Sequence, residues 1–257
     1  YVQDTWEFGK WRFDAGLRYE MYDGKGPFPT MDLDFDDWAP RVGMTYNIDR
    51  NWQVQATYGR YISRFNDNVA GNVTGVGGAP MIFSQYTGPT ASGLSYAEIE
   101  AIIEDDANWG LVKAVYDPSQ PIVLLDDNAS APYADDYNFS VKRALPRNTG
   151  SVTLTYTNRQ YKQLLDDFVG QFGTVSVVDP GGSGASFDFD LAMWNNASTA
   201  RRDYEAITAT WDYRPSAVWN FGGNWTYGRT EGNYEGEGRN TPSSGSIIGD
   251  YPDSIAP

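Results

Sequence analysis

The sequence contains no cysteine and no histidine among its 257 residues. Without cysteine, disulfide frameworks, thiolate metal sites and cysteine nucleophiles are excluded from this chain. Without histidine, Ser-His-Asp triads and zinc or iron sites built on imidazole ligands are excluded as well. We therefore expect a protein that is not an enzyme, with no catalytic, cofactor-binding or metal-binding residues and no cofactor.

Basic residues and long apolar runs are also scarce. Nineteen lysines and arginines oppose 34 acidic residues, which gives a net charge of −15 and excludes nucleic acid as the main partner. The aliphatic run 122–125 has only four residues, whereas a membrane-spanning helix needs about 20. Aromatic residues, in contrast, make up 15% of the chain, so the composition is not that of a disordered protein. The mean hydropathy of −0.53 is too polar for a bundle of membrane-spanning helices.

Apolar and polar residues alternate along much of the chain. Between Trp11 and Tyr22 every odd position is apolar, and nearly every even position is polar, charged or glycine. Successive side chains of a β-strand point to opposite faces, so this period of two predicts an amphipathic strand. The same alternation, complete or partial, predicts seven more strands, at Tyr1–Phe8, Trp38–Ile48, Trp52–Tyr61, Tyr137–Leu145, Val152–Tyr156, Ile207–Tyr213 and Trp219–Tyr227.

The connections between these strands alternate in length. Four are short turns, at Gly9-Lys10, 49–51, 146–150 and 214–217. The long loops are predicted at about 23–37, 62–133, 160–200 and 230–257. This alternation predicts hairpins whose tight turns all lie at one end of a sheet, which is typical of outer-membrane β-barrels with short periplasmic turns and long extracellular loops.

Strand length and aromatic placement support the same fold class. Predicted strands of ten to twelve residues are long enough to cross a bilayer when tilted. Trp11, Trp52 and Trp219 flank the short turns, whereas Tyr19 and Tyr227 lie toward the long loops. Two groups of aromatic residues at opposite strand ends match the two aromatic girdles of membrane barrels. We predict an all-β protein, an antiparallel transmembrane β-barrel fragment of about eight strands, with an apolar face toward outer-membrane lipid and a polar face toward a hydrated lumen.

Short motifs in a fixed order carry a family resemblance. They are Tyr1-Val-Gln-Asp-Thr-Trp6, Gly16-Leu-Arg-Tyr19, Ala39-Pro-Arg-Val-Gly-Met-Thr-Tyr46, Thr57-Tyr-Gly-Arg-Tyr61, Ala131-Pro-Tyr-Ala-Asp-Asp-Tyr137, Tyr204-Glu-Ala-Ile207 and Asn224-Trp-Thr-Tyr-Gly-Arg229. The series resembles the barrel of TonB-dependent outer-membrane receptors, in particular the subgroup with an N-terminal carboxypeptidase-regulatory-like domain. The resemblance implies a barrel of about 22 strands, an N-terminal plug and a TonB box that couples uptake of an extracellular substrate to the inner membrane.

The chain 1–257 is expected to be a partial barrel domain, with the plug, the TonB box and the C-terminal strands outside this stretch. The TonB complex would then be contacted through those other regions, and the substrate would be a siderophore, a carbohydrate or a peptide. Two alternatives stay open at this point. One is a self-contained eight-stranded structural or adhesive barrel, and the other is a secreted carbohydrate-binding or hydrolytic all-β protein.

The long loops hold the remaining candidate residues. Ser95 and Glu98 form a capping-box pattern that predicts a helix, with Leu94 and Ile99 at the hydrophobic-staple positions. Asp32, Asp34 and Asp36 are a candidate calcium site, although a solvated strand extension is the favoured interpretation. Aromatic and amide residues that could contact a ligand, or pack within the loops, are Phe83, Tyr86, Tyr96, Trp109, Tyr116, Phe187, Trp194 and Asn195.

Overall fold

The computed structural model of the chain describes residues 1–25, 32–63, 81–117, 119–120 and 122–234. This part of the chain contains thirteen β-strands and one α-helix. The strands are β1 Val2–Phe8, β2 Trp11–Lys25, β3 Asp32–Asn47, β4 Trp52–Ile62, β5 Met81–Tyr86, β6 Trp109–Tyr116, β7 Val123–Leu125, β8 Tyr133–Ala144, β9 Gly150–Lys162, β10 Leu165–Val178, β11 Ser186–Asn196, β12 Arg202–Tyr213 and β13 Phe221–Gly232, and the helix is α1 Tyr96–Glu104.

Eight strands form one antiparallel sheet in the order β1-β2-β3-β4-β8-β9-β12-β13. They are the eight strands that the period of two predicts, and each pairs with its neighbour in that series. In the described residues β1 and β13 each pair on one side only, so the eight strands form an open sheet and not a closed eight-stranded barrel.

The first predicted loop, 23–37, is wrong in its bounds. Strands β2 and β3 stay paired well beyond the predicted ends, up to the pair Lys25 and Asp32, and only 26–31 between them lie outside the described residues. The physical reason is that continued pairing satisfies backbone N–H and C=O groups that a loop would leave to water.

The strand register assembles the apolar residues of all eight strands on one face. Phe13 lies opposite Met44, Phe139 opposite both Ala56 and Tyr156, and Ile207 opposite Tyr227. Large apolar side chains on this face are exposed, with Phe139 at 51% and Tyr227 at 67%. We call this side of the sheet the lipid-facing surface and the opposite, polar side the lumen face.

Two of the predicted long loops contain folded structure. Strands β10 and β11 pair with each other, and β11 pairs in parallel with β7, which forms a three-stranded loop sheet from the predicted loops 62–133 and 160–200. Its core contains Val123, Leu165, Ala192 and Trp194, packed against Phe35 of β3. The loop sheet therefore lies against the end of the main sheet that carries the long connections, and both of these connections contain strands that the period of two did not identify.

Helix α1 confirms the predicted capping box. The Ser95 backbone N–H donates to the Glu98 carboxylate at 2.8 Å, and the Ser95 hydroxyl donates to the same oxygen at 2.6 Å. The other end of the helix is held by Asn108 and Trp109, whose side chains donate to the carbonyls of residues 102 and 103. No helix in the described ranges is long and apolar enough to span a membrane.

Candidate functional site

The lumen face is lined by short polar side chains and glycine. One register row runs through Gly43, Thr57, Asn138 and Thr157 on four neighbouring strands. Hydrogen bonds link such side chains across strands, since the Thr157 hydroxyl donates to Asn138 Oδ1 at 2.6 Å. A polar ladder of this kind would be a poor dry core, but it suits a water-filled interior.

Two cavities lie side by side on the lumen face. The first has a volume of about 630 Å³ and lies over β1 to β4, and the second has a volume of about 510 Å³ and lies over the next strands of the sheet. Tyr61 and Asn138 line both cavities. Both cavities therefore lie on the side of the sheet that the alternation predicts to face a hydrated lumen.

Close packing at Gly59 shapes the boundary between the two cavities. A Cβ atom at this position would lie 3.2 Å from the ring of Tyr61. Glycine therefore lets the Tyr61 ring lie back against its own strand, where the ring also supports the Arg41 guanidinium at 4.8 Å from its centroid.

The second cavity has a buried ion pair in its wall. Arg159 Nε donates to Asp136 Oδ2 at 2.7 Å, and Asn138 donates to the other carboxylate oxygen. The side chain of Asp136 is only 5% exposed. Burial of a charged carboxylate is tolerated here because hydrogen bonds from both neighbours satisfy it.

Two other arginines on the lumen face have no carboxylate partner among the described residues. Arg41 stacks on Tyr61, and Arg202 stacks on Tyr161 at 5.2 Å from the ring centroid. Stacking on an aromatic face leaves the in-plane N–H donors of a guanidinium available. Arg41 lines the first cavity and Arg202 the second, so each cavity offers donors suited to anionic or polar groups.

Strand periodicity places Arg41 on the polar face, but it does not identify these arginines as site residues. The positions of the tyrosines are a sequence signal that could have identified the cavity walls. In the alternation of its strand, Tyr58 falls on the lipid-facing surface. Tyr61, Tyr161 and Tyr204 fall on the lumen face and line the second cavity. An aromatic side chain on the otherwise polar face of an amphipathic strand therefore marks the wall of a lumen cavity.

The candidate calcium residues lie in β3, as the strand-extension interpretation predicts. Asp36 accepts a hydrogen bond from the Tyr19 hydroxyl on the neighbouring strand, and the side chain of Asp32 lies outside the described part of the structure. Within the described residues, no group of three or more acidic side chains is arranged to hold a metal ion.

The loop aromatics that the sequence offered as ligand contacts differ in how far they are buried. Trp194 is 1% exposed in the core of the loop sheet. Tyr86 and Trp109 meet edge to face at 5.5 Å. Phe83 and Tyr96 are exposed. Of the remaining candidates, Phe187 and Asn195 are half-buried, and the side chain of Tyr116 lies outside the described residues.

An amphipathic antiparallel sheet with an exposed, aromatic-rich apolar face and a polar face that bears cavities has the features of an outer-membrane β-barrel wall. The chain belongs to this class by sequence as well, because the family model described as "Outer membrane beta barrel domain" matches residues 15–255. It is therefore a member of that family and an outer-membrane protein. No curated protein matches the chain.

Three solved structures cover most of the chain at low sequence identity. The siderophore receptor PirA from Acinetobacter baumannii covers 88% of it at 12% identity with a TM-score of 0.50. The iron transporter FrpB from Neisseria meningitidis covers 90% at 11% identity (TM-score 0.48), and the alcaligin receptor FauA from Bordetella pertussis covers 89% at 12% identity (TM-score 0.45).

The chain spans only 26% of the length of PirA, 25% of FrpB and 29% of FauA. At such identity the likeness concerns the fold. The predicted resemblance to a barrel fragment of TonB-dependent receptors is confirmed at that level, and the finer subgroup stays a prediction.

Proposed function

We propose that this chain is the barrel portion of a TonB-dependent receptor that takes up a siderophore, a carbohydrate or a peptide across the outer membrane. The substrate would be captured at the end with the long connections and would pass along the lumen face. Energy would come from the TonB complex, which would act through regions outside these residues. We also propose that the chain performs no chemistry on its substrate. The absence of cysteine and histidine, which removes thiol nucleophiles and imidazole bases, supports this proposal.

The observation that carries the proposal is the pair of adjoining cavities on the lumen face. Each contains an arginine, Arg41 or Arg202, that stacks on a tyrosine and has no carboxylate partner among the described residues. Substrates of the three proposed classes carry carboxylates, hydroxyls or carbonyls, which are acceptors for guanidinium N–H groups. The loop sheet lies at the same end of the strands as the second cavity.

Uptake measurements on the full-length receptor test this function. Cells that express it are given radiolabelled ferric siderophores, oligosaccharides and peptides in separate assays, with and without an uncoupler of the proton gradient. We expect accumulation of one class, which the uncoupler abolishes. In the double variant Arg41→Gln/Arg202→Gln, uptake of that class should fall by about tenfold or more, because two charge-assisted hydrogen bonds are lost.

The matched control is Leu154→Ala, which alters the lipid-facing surface of β9 and leaves the lumen face intact. Its uptake should equal that of the wild type when the two are present in the membrane in equal amounts. Accumulation that persists with the uncoupler, or a double variant that transports normally, would contradict the proposal.

A further inference from the structure

A group of charged side chains lies on the lipid-facing surface, just beyond the apolar residues. On β4 the outward side chains are Trp52, Val54, Ala56 and Tyr58, and the next one is Arg60. Asp135 of β8 lies directly opposite Arg60 in the register, and Tyr133 lies opposite both Ile62 and Lys162. These positions are at the ends of the strands that lead into the long connections, and therefore at the extracellular boundary of the apolar belt.

Asp135 is the centre of this group and is almost completely buried, with its side chain 3% exposed. It accepts hydrogen bonds from the Tyr58 hydroxyl at 2.8 Å, from Arg60 Nε at 3.0 Å and from Lys162 Nζ at 3.1 Å. The Arg60 guanidinium also stacks on the ring of Tyr133, 4.0 Å from its centroid. We call Tyr58, Arg60, Tyr133, Asp135 and Lys162 the Asp135 cluster.

The cluster contains two cations and one carboxylate, so its net charge is +1. The carboxylate is saturated by its donors, whereas Lys162 uses one of its three N–H groups on Asp135 and its side chain is 43% exposed. The nearby outward charges have the opposite balance, since Arg229 lies between Glu205 and Glu231. In a chain of net charge −15, the Asp135 cluster is thus a local positive site, and among the described residues Lys162 Nζ donates only to Asp135.

We propose that the Asp135 cluster binds the phosphate group of an anionic lipid in the outer leaflet of the membrane. Two observations select this partner. The cluster is continuous with the apolar belt that contacts the acyl chains, so a lipid lying against Tyr58 and Tyr137 brings its headgroup to the level of Arg60 and Lys162. Lysine and arginine at a membrane surface attract anionic lipid headgroups, and the charge-assisted bonds are directional.

In this arrangement Asp135 is a positioning residue that holds the two cations, and Lys162 donates to the phosphate. The lipid site lies on the face of the sheet opposite the lumen cavities. Its existence rests on the membrane orientation of the sheet and not on transport, so loss of lipid binding and loss of uptake are separable results.

Native mass spectrometry of the full-length receptor in detergent tests the proposal. The receptor is titrated with dioleoyl phosphatidic acid, whose headgroup is a bare phosphate, and with dioleoyl phosphatidylcholine, which has the same acyl chains. We expect preferential retention of phosphatidic acid. Lys162→Gln should lower the apparent affinity for it by about fivefold, whereas Lys162→Arg should retain binding.

Lys162→Gln leaves the Arg60–Asp135 pair in place, and heat-modifiable gel mobility verifies that the barrel is folded. The matched control is Arg12→Gln, which removes a half-exposed cation from an ion pair with Asp14 on the lumen face. Equal retention of the two lipids, unchanged binding in Lys162→Gln, or equal loss in Arg12→Gln would overturn the proposal. Displacement of phosphatidic acid by millimolar inorganic phosphate alone would also overturn it, because the site would then bind free phosphate.

Discussion

At the scale of single residues, the ion pairs of this barrel wall differ mainly in burial. Asp136 is 5% exposed beside Arg159, whereas Asp203 is 24% exposed and its partner Arg201 is 75% exposed. A charge left without its partner in a buried place keeps its desolvation cost, whereas an exposed charge is rehydrated. Geometrically similar pairs are therefore expected to contribute unequally to stability.

The prediction at this scale concerns Asp136. Replacing it by alanine in the full-length receptor should lower the free energy of unfolding by about 1–3 kcal/mol, because Arg159 and Asn138 lose their shared acceptor. Asp203→Ala is the matched control and should cost less than about 1 kcal/mol. Urea unfolding in detergent, followed by tryptophan fluorescence, measures both variants, and equal costs would show that burial is not the deciding factor.

At the scale of elements, helix α1 depends on a charged capping interaction in an exposed loop. Hydrogen bonds from the Ser95 side chain and backbone N–H lower the pKa of Glu98, because they favour the ionised carboxylate. A carboxylate whose pKa is lower in the folded state stabilises the fold above the pKa of the unfolded chain. That contribution is lost as the pH falls through the folded-state pKa.

We therefore expect the start of α1 to fray in acid. Hydrogen–deuterium exchange of the peptide that contains 96–104, corrected for intrinsic exchange rates, should show protection that falls at least about twofold as the pH drops from 6 to 3.5. Glu98→Gln should have low protection at both pH values. Glu100→Gln, on the same helix, should keep the wild-type pH dependence, and a flat profile in the wild type would refute this account.

At the scale of the whole molecule, the decisive property is sidedness. Adjacent residues such as Asn138 and Phe139 lie on opposite faces of the sheet, one on the lumen face and the other on the lipid-facing surface. The chain has no cysteine, so a single introduced cysteine gives a unique label within it. The proposed orientation can therefore be measured residue by residue.

Spin labels at Phe139→Cys and Asn138→Cys should report opposite environments in the reconstituted receptor, in a cysteine-free background. The label at 139 should be more accessible to oxygen, which concentrates in lipid, and the label at 138 should be more accessible to a water-soluble nickel chelate. Relaxation enhancement in EPR measures both quantities. The inverse pattern would mean that the polar side of the sheet faces the membrane.

The amino-acid sequence alone was enough to predict the eight strands of the main sheet and the face on which each of their side chains lies. Alternation is a local property, since each strand residue points opposite to its neighbour whatever the strand pairs with. It also determined the start of α1, because a capping box is completed within four residues. The sequence did not predict the paired extension of β2 and β3, or strands β10 and β11, because these segments lie in long connections that were expected to be loops. A signal for β11 is present, since Phe187 and Phe189 alternate with Asp188 and Asp190.

The charged partners, in contrast, became known from the folded chain. Asp135 and Asp136 are neighbours in sequence, yet one binds Arg60 and Lys162 on the lipid-facing surface and the other binds Arg159 on the lumen face. The parallel pairing of β7 with β11 likewise joins segments about 70 residues apart in the chain. The contacts of Asp136 with Arg159 and of Asp135 with Lys162 join β8 to β9 across a short turn, which sets their register. The contact of Asp135 with Arg60 and the pairing of β7 with β11 join strands that long connections separate, so the packing of the sheets and not a local turn sets their register.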